Sequence, residues 1–273
     1  MKSGEKYCAK TFLRYKYGKE IIQAYEEGES TKAIAQKYGF SDDHMIASLL
    51  RELNAEVRGV GYTSRTDQSL FQTIDSEISA YTLGLITADG SVNNQYMVSI
   101  ELQASDKELL DQINNRMFKH TGTIIPARNQ FRLSVCGKQI CENLRQYDVI
   151  PNKTYSLLHL QRFEEPMMQH YLRGLFDGDG VCAKNESYLR VGYCGYNREF
   201  VEDFQDYFVN NLGLKKNQLF NTGNSWNCSW GSREDLTKFY NYLYQDATIF
   251  LSRKKEKLNA YLYGNTEVND SIT

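Results

Sequence analysis

The amino-acid sequence predicts an α+β fold in which one supersecondary unit occurs twice behind a small all-α segment. Three observations predict it. An apolar helix ending on a carboxylate and a glycine is present twice, as Tyr81-Thr-Leu-Gly-Leu-Ile-Thr-Ala-Asp-Gly90 and as Tyr171-Leu-Arg-Gly-Leu-Phe-Asp-Gly-Asp-Gly180. Each copy is followed by a period-2 strand pattern and then by a period-3.6 helix pattern. The stretch before them carries only helical periodicity, punctuated by glycine and serine.

The N-terminal segment comes first. Gly18 precedes an apolar-periodic run that Gly28 stops, Ser30 is placed to cap a second helix, Gly39 to turn the chain, and Ser41 to cap a third. Ile34, Ala35, Tyr38, Ile46, Leu49 and Leu50 then form one small core. The spacing of Ala35 and Gly39 resembles the helix-turn-helix of DNA-binding proteins, with Ser41 to Arg51 as recognition helix. Ser41, His44, Ser48 and Arg51 are its candidate contacts, because Asp42 and Asp43 would repel phosphate. A helical bundle with no DNA role is the competing reading. Boundaries are expected at 1–60 for this domain and 61–74 for a Gly/Thr/Ser-rich linker.

In copy one, residues 75–160, the motif helix ends at Asp89 and the strand Tyr96 to Leu102 alternates. Tyr96, Val98, Ile100 and Leu102 are expected to face the helices, and Ser99, Glu101 and Gln103 to face outward. A helix with Leu109, Leu110, Ile113 and Met117 on one side follows. Strands at Thr123 to Ile125 and Phe131 to Val135 come next, then a helix Lys138 to Tyr147 and Pro151-Asn-Lys153.

Copy two, residues 161–265, repeats the order. Its motif helix begins near Pro166 and ends at Asp179. The strand Tyr188 to Tyr193 puts Arg190 outward, and a helix carries Phe200, Val201, Phe204 and Phe208. The strand Trp226 to Trp230 puts Asn227 and Ser229 outward before a helix over Arg233 to Tyr244. A tail is expected at 266–273. Each sheet therefore offers a polar face, and with Arg132 on the second long strand of copy one these residues suit base-edge recognition. A merely solvated sheet has the same pattern.

Composition bounds the function. Apolar residues make up 41% of 273 residues and only 3 are proline, which suits a folded globular chain rather than a disordered one. The net charge of −2 gives no overall electrostatic reason to bind nucleic acid, and only residues 1–66 are basic, with 11 Lys and Arg against 9 Asp and Glu. The six cysteines form no C-x-x-C pair and the four histidines are scattered singly, so zinc chemistry has no visible constellation. With neither a signal-peptide pattern nor a long apolar run, a soluble, cytoplasmic protein is expected.

The acids at the helix ends are the informative feature. The C-terminus of a helix carries partial negative charge and repels a carboxylate by about 0.3–1 kcal/mol, a cost that a bound cation removes. Gly84 with Ala88 and Gly174 with Gly178 clear one face of each helix, so the two backbones can approach and bring Asp89 and Asp179 side by side. For a single copy, an exposed acid before a capping glycine is the plainer reading. Duplication favours the paired one.

At these residues the sequence resembles the LAGLIDADG homing endonucleases, and the repeated order from about 75 to 263 extends the resemblance over the C-terminal two thirds. It implies a duplicated α-β-β-α-β-β-α core, forming a pseudo-twofold saddle of two antiparallel sheets over double-stranded DNA with a long asymmetric site. It also implies a monomer that cuts both strands with Mg²⁺ or Mn²⁺. Asp89 and Asp179 would bind the metal, joined by the carbonyls of Ala88 and Gly178. Lys153 and Lys254 match the basic residue near the end of each half, with Lys255 or Arg253 as alternatives to Lys254. The earlier acid is Thr87 in copy one and Asp177 in copy two, a departure expected to matter little for catalysis. Rival readings are an RNA maturase or a transcription regulator that keeps the fold without cleavage, and a regulator that senses a small molecule.

Overall fold

In a computed structural model, which describes residues 3–40, 43–55, 66–151, 159–184 and 188–264, the chain divides into two units, Met1–Arg65 and Thr66–Thr273. The first unit is helical. Helix α1 (Ser3–Glu26) begins well before the expected Gly18, because residues ahead of that glycine pack too: Leu13 is buried with Ile21 and Tyr25. Helix α2 (Thr31–Lys37) is capped by the Ser30 hydroxyl, which accepts from the Ala33 amide at 3.1 Å, and Gly39 turns the chain at φ +78°. Helix α3 (Asp43–Glu52) contributes Ile46, Leu49 and Leu50 to the core against Ile34 and Ala35. Ser41, expected as its cap, lies outside the described residues.

The second unit holds two copies of one arrangement. Copy one runs α4 (Glu77–Asp89), β1 (Gly90–Val92), β2 (Met97–Gln103), α5 (Lys107–Arg116), β3 (Thr123–Ala127), β4 (Gln130–Cys136) and α6 (Lys138–Arg145). Copy two runs α7 (Met167–Asp179), β5 (Gly180–Lys184), β6 (Leu189–Gly195), α8 (Arg198–Leu212), β7 (Phe220–Asn221), β8 (Trp226–Trp230) and α9 (Arg233–Tyr244), followed by α10 (Ser252–Tyr263). The sheets have matching antiparallel orders, β1-β2-β4-β3 and β5-β6-β8-β7.

Alternation decides what each sheet buries. Val98, Ile100 and Leu102 pair with Val135, Leu133 and Phe131 and pack inward on Leu109, Leu110 and Ile113. In copy two, Val191, Tyr193, Cys228 and Trp230 do the same against Phe200, Phe204 and Phe208. Tyr96 departs from the expected inward set. It lies in the turn before β2 at φ +58° and is exposed, so the strand starts one residue later than the alternation suggests. Tyr188 likewise precedes β6 and is exposed.

Strands β1 and β5 show no alternation in the sequence and fill the first strand place of the α-β-β-α-β-β-α order that the resemblance implies. They emerge directly from the motif helices, and the motif glycines are there for room rather than for an unusual backbone. Gly90 and Gly180 have φ −81° and −68°, ordinary extended values. A β-carbon on Gly90 would lie 2.6 Å from the Ile86 Cα, and one on Gly180 would lie 2.2 Å from the Phe176 carbonyl oxygen. The five cysteines whose side chains are described are free thiols. Among the described residues no helix is long and apolar enough to cross a membrane.

Candidate active site

The seam between α4 and α7 positions everything else. A β-carbon on Gly84 would lie 2.1 Å from the Tyr171 carbonyl oxygen, and one on Gly174 would lie 2.2 Å from that of Tyr81. The contacts are reciprocal, as in a twofold interface made within one chain. Only glycine permits backbones this close. One turn further on, a β-carbon on Gly178 would sit 2.4 Å from the Ala88 Cβ and 3.4 Å from Asp89 Oδ2. The carboxylate that ends α4 therefore reaches the last turn of α7.

Asp89 and Asp179 are both exposed at these adjoining ends. The Tyr193 phenol, fully buried beneath β6, senses the pair. Its pKa is pushed well above the usual value by burial first, then by the charges of Asp179, Tyr171 and Asp89. One buried group thus lies in the field of both carboxylates, and the helix ends that carry them adjoin where Gly178 meets Ala88 and Asp89.

Among the described residues no three His, Cys, Asp or Glu cluster as a metal cage. The donors on offer are two carboxylates and the carbonyls of the last helical turn, an all-oxygen set. That set fits Mg²⁺, which binds through one or two carboxylates and leaves positions for water and phosphate. The Gly178 site is also a cradle that any side chain would fill.

Lys254 adjoins the last turn of α7, with its donors turned to that helix. It is buried at the start of α10, and its ammonium donates to the carbonyls of Phe176 at 2.6 Å, Gly178 at 3.0 Å and Gly180 at 2.6 Å. Its three N–H donors are all taken. The lysine is a side-chain cap on the negative end of α7 and supplies the cation expected there. Burial pulls its pKa down to about 8 against the opposing pull of Asp177. The two alternatives have other partners: Arg253 Nε donates to Asp106 at 2.9 Å, and Lys255 lies 3.7 Å from the centre of the Phe250 ring. Lys153 lies outside the described residues.

Asp177, set aside in the sequence reading, is a buried hub. It is fully enclosed and accepts from Tyr81 at 2.8 Å, Tyr244 at 2.5 Å and the Leu251 amide at 2.7 Å. Burial raises its pKa, and the hydrogen bonds with the nearby Lys254 charge resist the rise. Thr87, its counterpart in copy one, carries no charge and donates to the Leu83 carbonyl of its own helix at 2.8 Å. Arg173 is a second interior charge. It donates to Ile249 at 2.9 Å, to Leu243 at 3.0 Å and to Glu77 at 2.6 Å, tying copy two to the first turn of α4. The signal for both was a charged residue inside an otherwise apolar helix, which demands partners when buried.

The expected DNA contacts divide. In the first unit His44 and Arg51 are exposed, while Ser48 accepts from Lys10 at 2.6 Å. On sheet one Gln103 is exposed, and Glu101 accepts from Arg132 at 2.6 Å. Ser99 is buried instead of exposed: it shares its face with Ser91 and Ser134 and bonds the latter at 3.2 Å. On sheet two Arg190 is exposed, 5.1 Å above the Tyr188 ring, and Ser229 is half-buried. Asn227 is only 9% exposed and donates to the Thr222 hydroxyl at 3.3 Å. Alternation assigns a face correctly but not how far neighbours cover it.

Residues 166–244 match the family model of a LAGLIDADG-like domain. Among solved structures, meganuclease I-SmaMI bound to uncleaveable DNA with a TTCT central four is similar at TM-score 0.50 and 15% identity, over 67% of this chain and 89% of that one. I-CpaMI bound to uncleaved DNA has TM-score 0.48 and 14% identity, over 68% and 90%. I-GzeII in complex with its DNA target has TM-score 0.47 and 15% identity, over 65% and 86%. No curated protein matches the chain in sequence. Copy two is thus a LAGLIDADG-like domain, and the second unit has the LAGLIDADG homing-endonuclease fold.

Proposed function

We propose that this chain, whose second copy is a LAGLIDADG-like domain, is a site-specific double-strand DNA endonuclease acting inside the cell as a monomer with an internal pseudo-dimer. The observation that carries the reading is the meeting of two helix-end carboxylates at a glycine-cleared seam between two sheets of matching topology. Asp89 and Asp179, with the carbonyls of Ala88 and Gly178, would hold Mg²⁺ or Mn²⁺. When bound, the metal supplies activation of water and stabilisation of the leaving oxygen.

The chain's own residues do the rest. Lys254 fixes the Phe176, Gly178 and Gly180 carbonyls and so sets the geometry of the last turn of α7. Asp177 holds Leu251, three residues before Lys254, and thereby the start of α10. The outward sheet faces, with Glu101, Gln103, Arg132, Arg190, Asn227 and Ser229, would lie along a long asymmetric site. His44 and Arg51 of the first unit would add contacts of their own.

The test is cleavage of a randomised duplex library by the full chain. Enriched ends with a fixed stagger in Mg²⁺, and none in EDTA, are expected. Selective binding without cutting in either Mg²⁺ or Mn²⁺ would instead make the chain a regulator, and selective binding of intron RNA without cutting would make it a maturase.

A further inference from the structure

The register of the two sheets sets equivalent residues side by side. Gly90 and Gly180 follow the two acids, Ser91 pairs with Ser99, and Val181 pairs with Gly192, so Ser99 and Gly192 occupy the same place. One outward position further along, the rung across sheet one is Glu101, Arg132 and Ile125. The same rung across sheet two is Cys194, Asn227 and Phe220. Both end on an edge strand with a large apolar side chain on a polar face. Ile125 is 44% exposed and Phe220 is 46% exposed, whereas the apolar residues of the opposite face are buried or partly buried.

We propose that Ile125 and Phe220 are specificity-determining residues, each packing on the C5-methyl of a thymine in the major groove, one in each half-site. The inference rests on the endonuclease reading above and names part of its target. Base edges offer an apolar side chain one apolar group of any size, and that is the thymine methyl. The neighbour of Ile125 suits the same setting: Arg132, oriented by Glu101, is a side chain that reads guanine edges. Because the rungs are equivalent under the seam's twofold relation, the two thymines fall at equal distances from the cleavage centre although the site as a whole is asymmetric. Each methyl removed from an apolar contact weakens binding about fourfold.

The experiment starts from the duplex that the full chain selects from a randomised library. That duplex is resynthesised with deoxyuridine replacing each thymine in turn, which deletes the methyl alone, and binding is measured. Two positions, equidistant from the cut, are expected to weaken about fourfold. Ile125→Ala abolishes the sensitivity at one and Phe220→Ala at the other; both residues are exposed, so the fold survives. Tolerance of deoxyuridine everywhere, or sensitivities unchanged in both variants, would overturn the inference while leaving site-specific cleavage standing. A library yielding no preferred duplex would overturn both readings. A dimer that dissociates on Phe220→Ala, with no thymine effect, would assign this face to a second copy.

Discussion

Replacing Asp177 tests how the second motif is built. The carboxylate is fully enclosed and accepts three hydrogen bonds, from Tyr81, Tyr244 and the Leu251 amide, beside the charge of Lys254. Asp177→Ala leaves three donors and an ammonium group in the interior. Breaking a buried charged pair by removing one partner costs about 3–5 kcal/mol, and that is the loss expected in urea unfolding of the full chain.

Asp177→Asn is milder for a geometric reason. Its amide oxygen can replace Oδ2, which serves Tyr81 and the fixed Leu251 amide, while its NH₂ meets the Tyr244 hydroxyl, which rotates to accept. The hydrogen bonds survive and only the charge opposite Lys254 is lost, at a cost of about 1–2 kcal/mol. Combined with Lys254→Met, the Asn change should cost at least about 1 kcal/mol less than in the wild-type background, because the pair acts as a unit. Asp177→Ala within about 1 kcal/mol of wild type, or Asn as damaging as Ala, would refute this account of the hub.

Three further outcomes are expected. Gly174→Ala places a methyl 2.2 Å from the Tyr81 carbonyl oxygen and should cost about 3 kcal/mol or more, since backbone on both sides must separate; a melting temperature equal to wild type would contradict the seam. Gly39→Ala, at φ +78° with no atom in reach of the added methyl, should cost about 1 kcal/mol in the first unit, and a stabilised variant would contradict the backbone assignment. Glu77 is pulled up by burial but pulled further down by the Thr248 hydrogen bonds and the Arg173 charge, so its native pKa is below its unfolded value. Its contribution is therefore complete above about pH 4.5 and lost as pH falls through the native value. The stability gap between wild type and Glu77→Gln should narrow below about pH 4.5, and a gap that widens there would reverse the sign.

The duplicated order was legible because repetition multiplies weak signals: one helix ending on an acid says little, whereas two, each followed by alternation and then helical periodicity, fix a topology. Inward faces were legible wherever alternation ran for several residues, as at Val98, Ile100 and Leu102. Strand β1 was not, because Gly90–Val92 is too short to alternate visibly. The close approach of α4 and α7 followed from small residues at four-residue spacing, a local property of each helix. The role of Lys254 did not follow, because it depends on which carbonyls a loop brings within reach from residues 74–78 positions away. Ser99 and Asn227 show the same limit, since a strand pattern gives direction while cover comes from neighbours distant in sequence.

The central claim, that Asp89 and Asp179 jointly form the cleavage site, is tested most directly by strand-resolved cutting of a labelled selected duplex in Mg²⁺ by Asp89→Asn, Asp179→Asn and the double variant. Both side chains are exposed and the substitutions are isosteric, so the variants should fold and target binding in Ca²⁺ should persist. The account predicts that the double variant binds its site and cuts neither strand. Double-strand cutting at the wild-type rate by a folded double variant would contradict it.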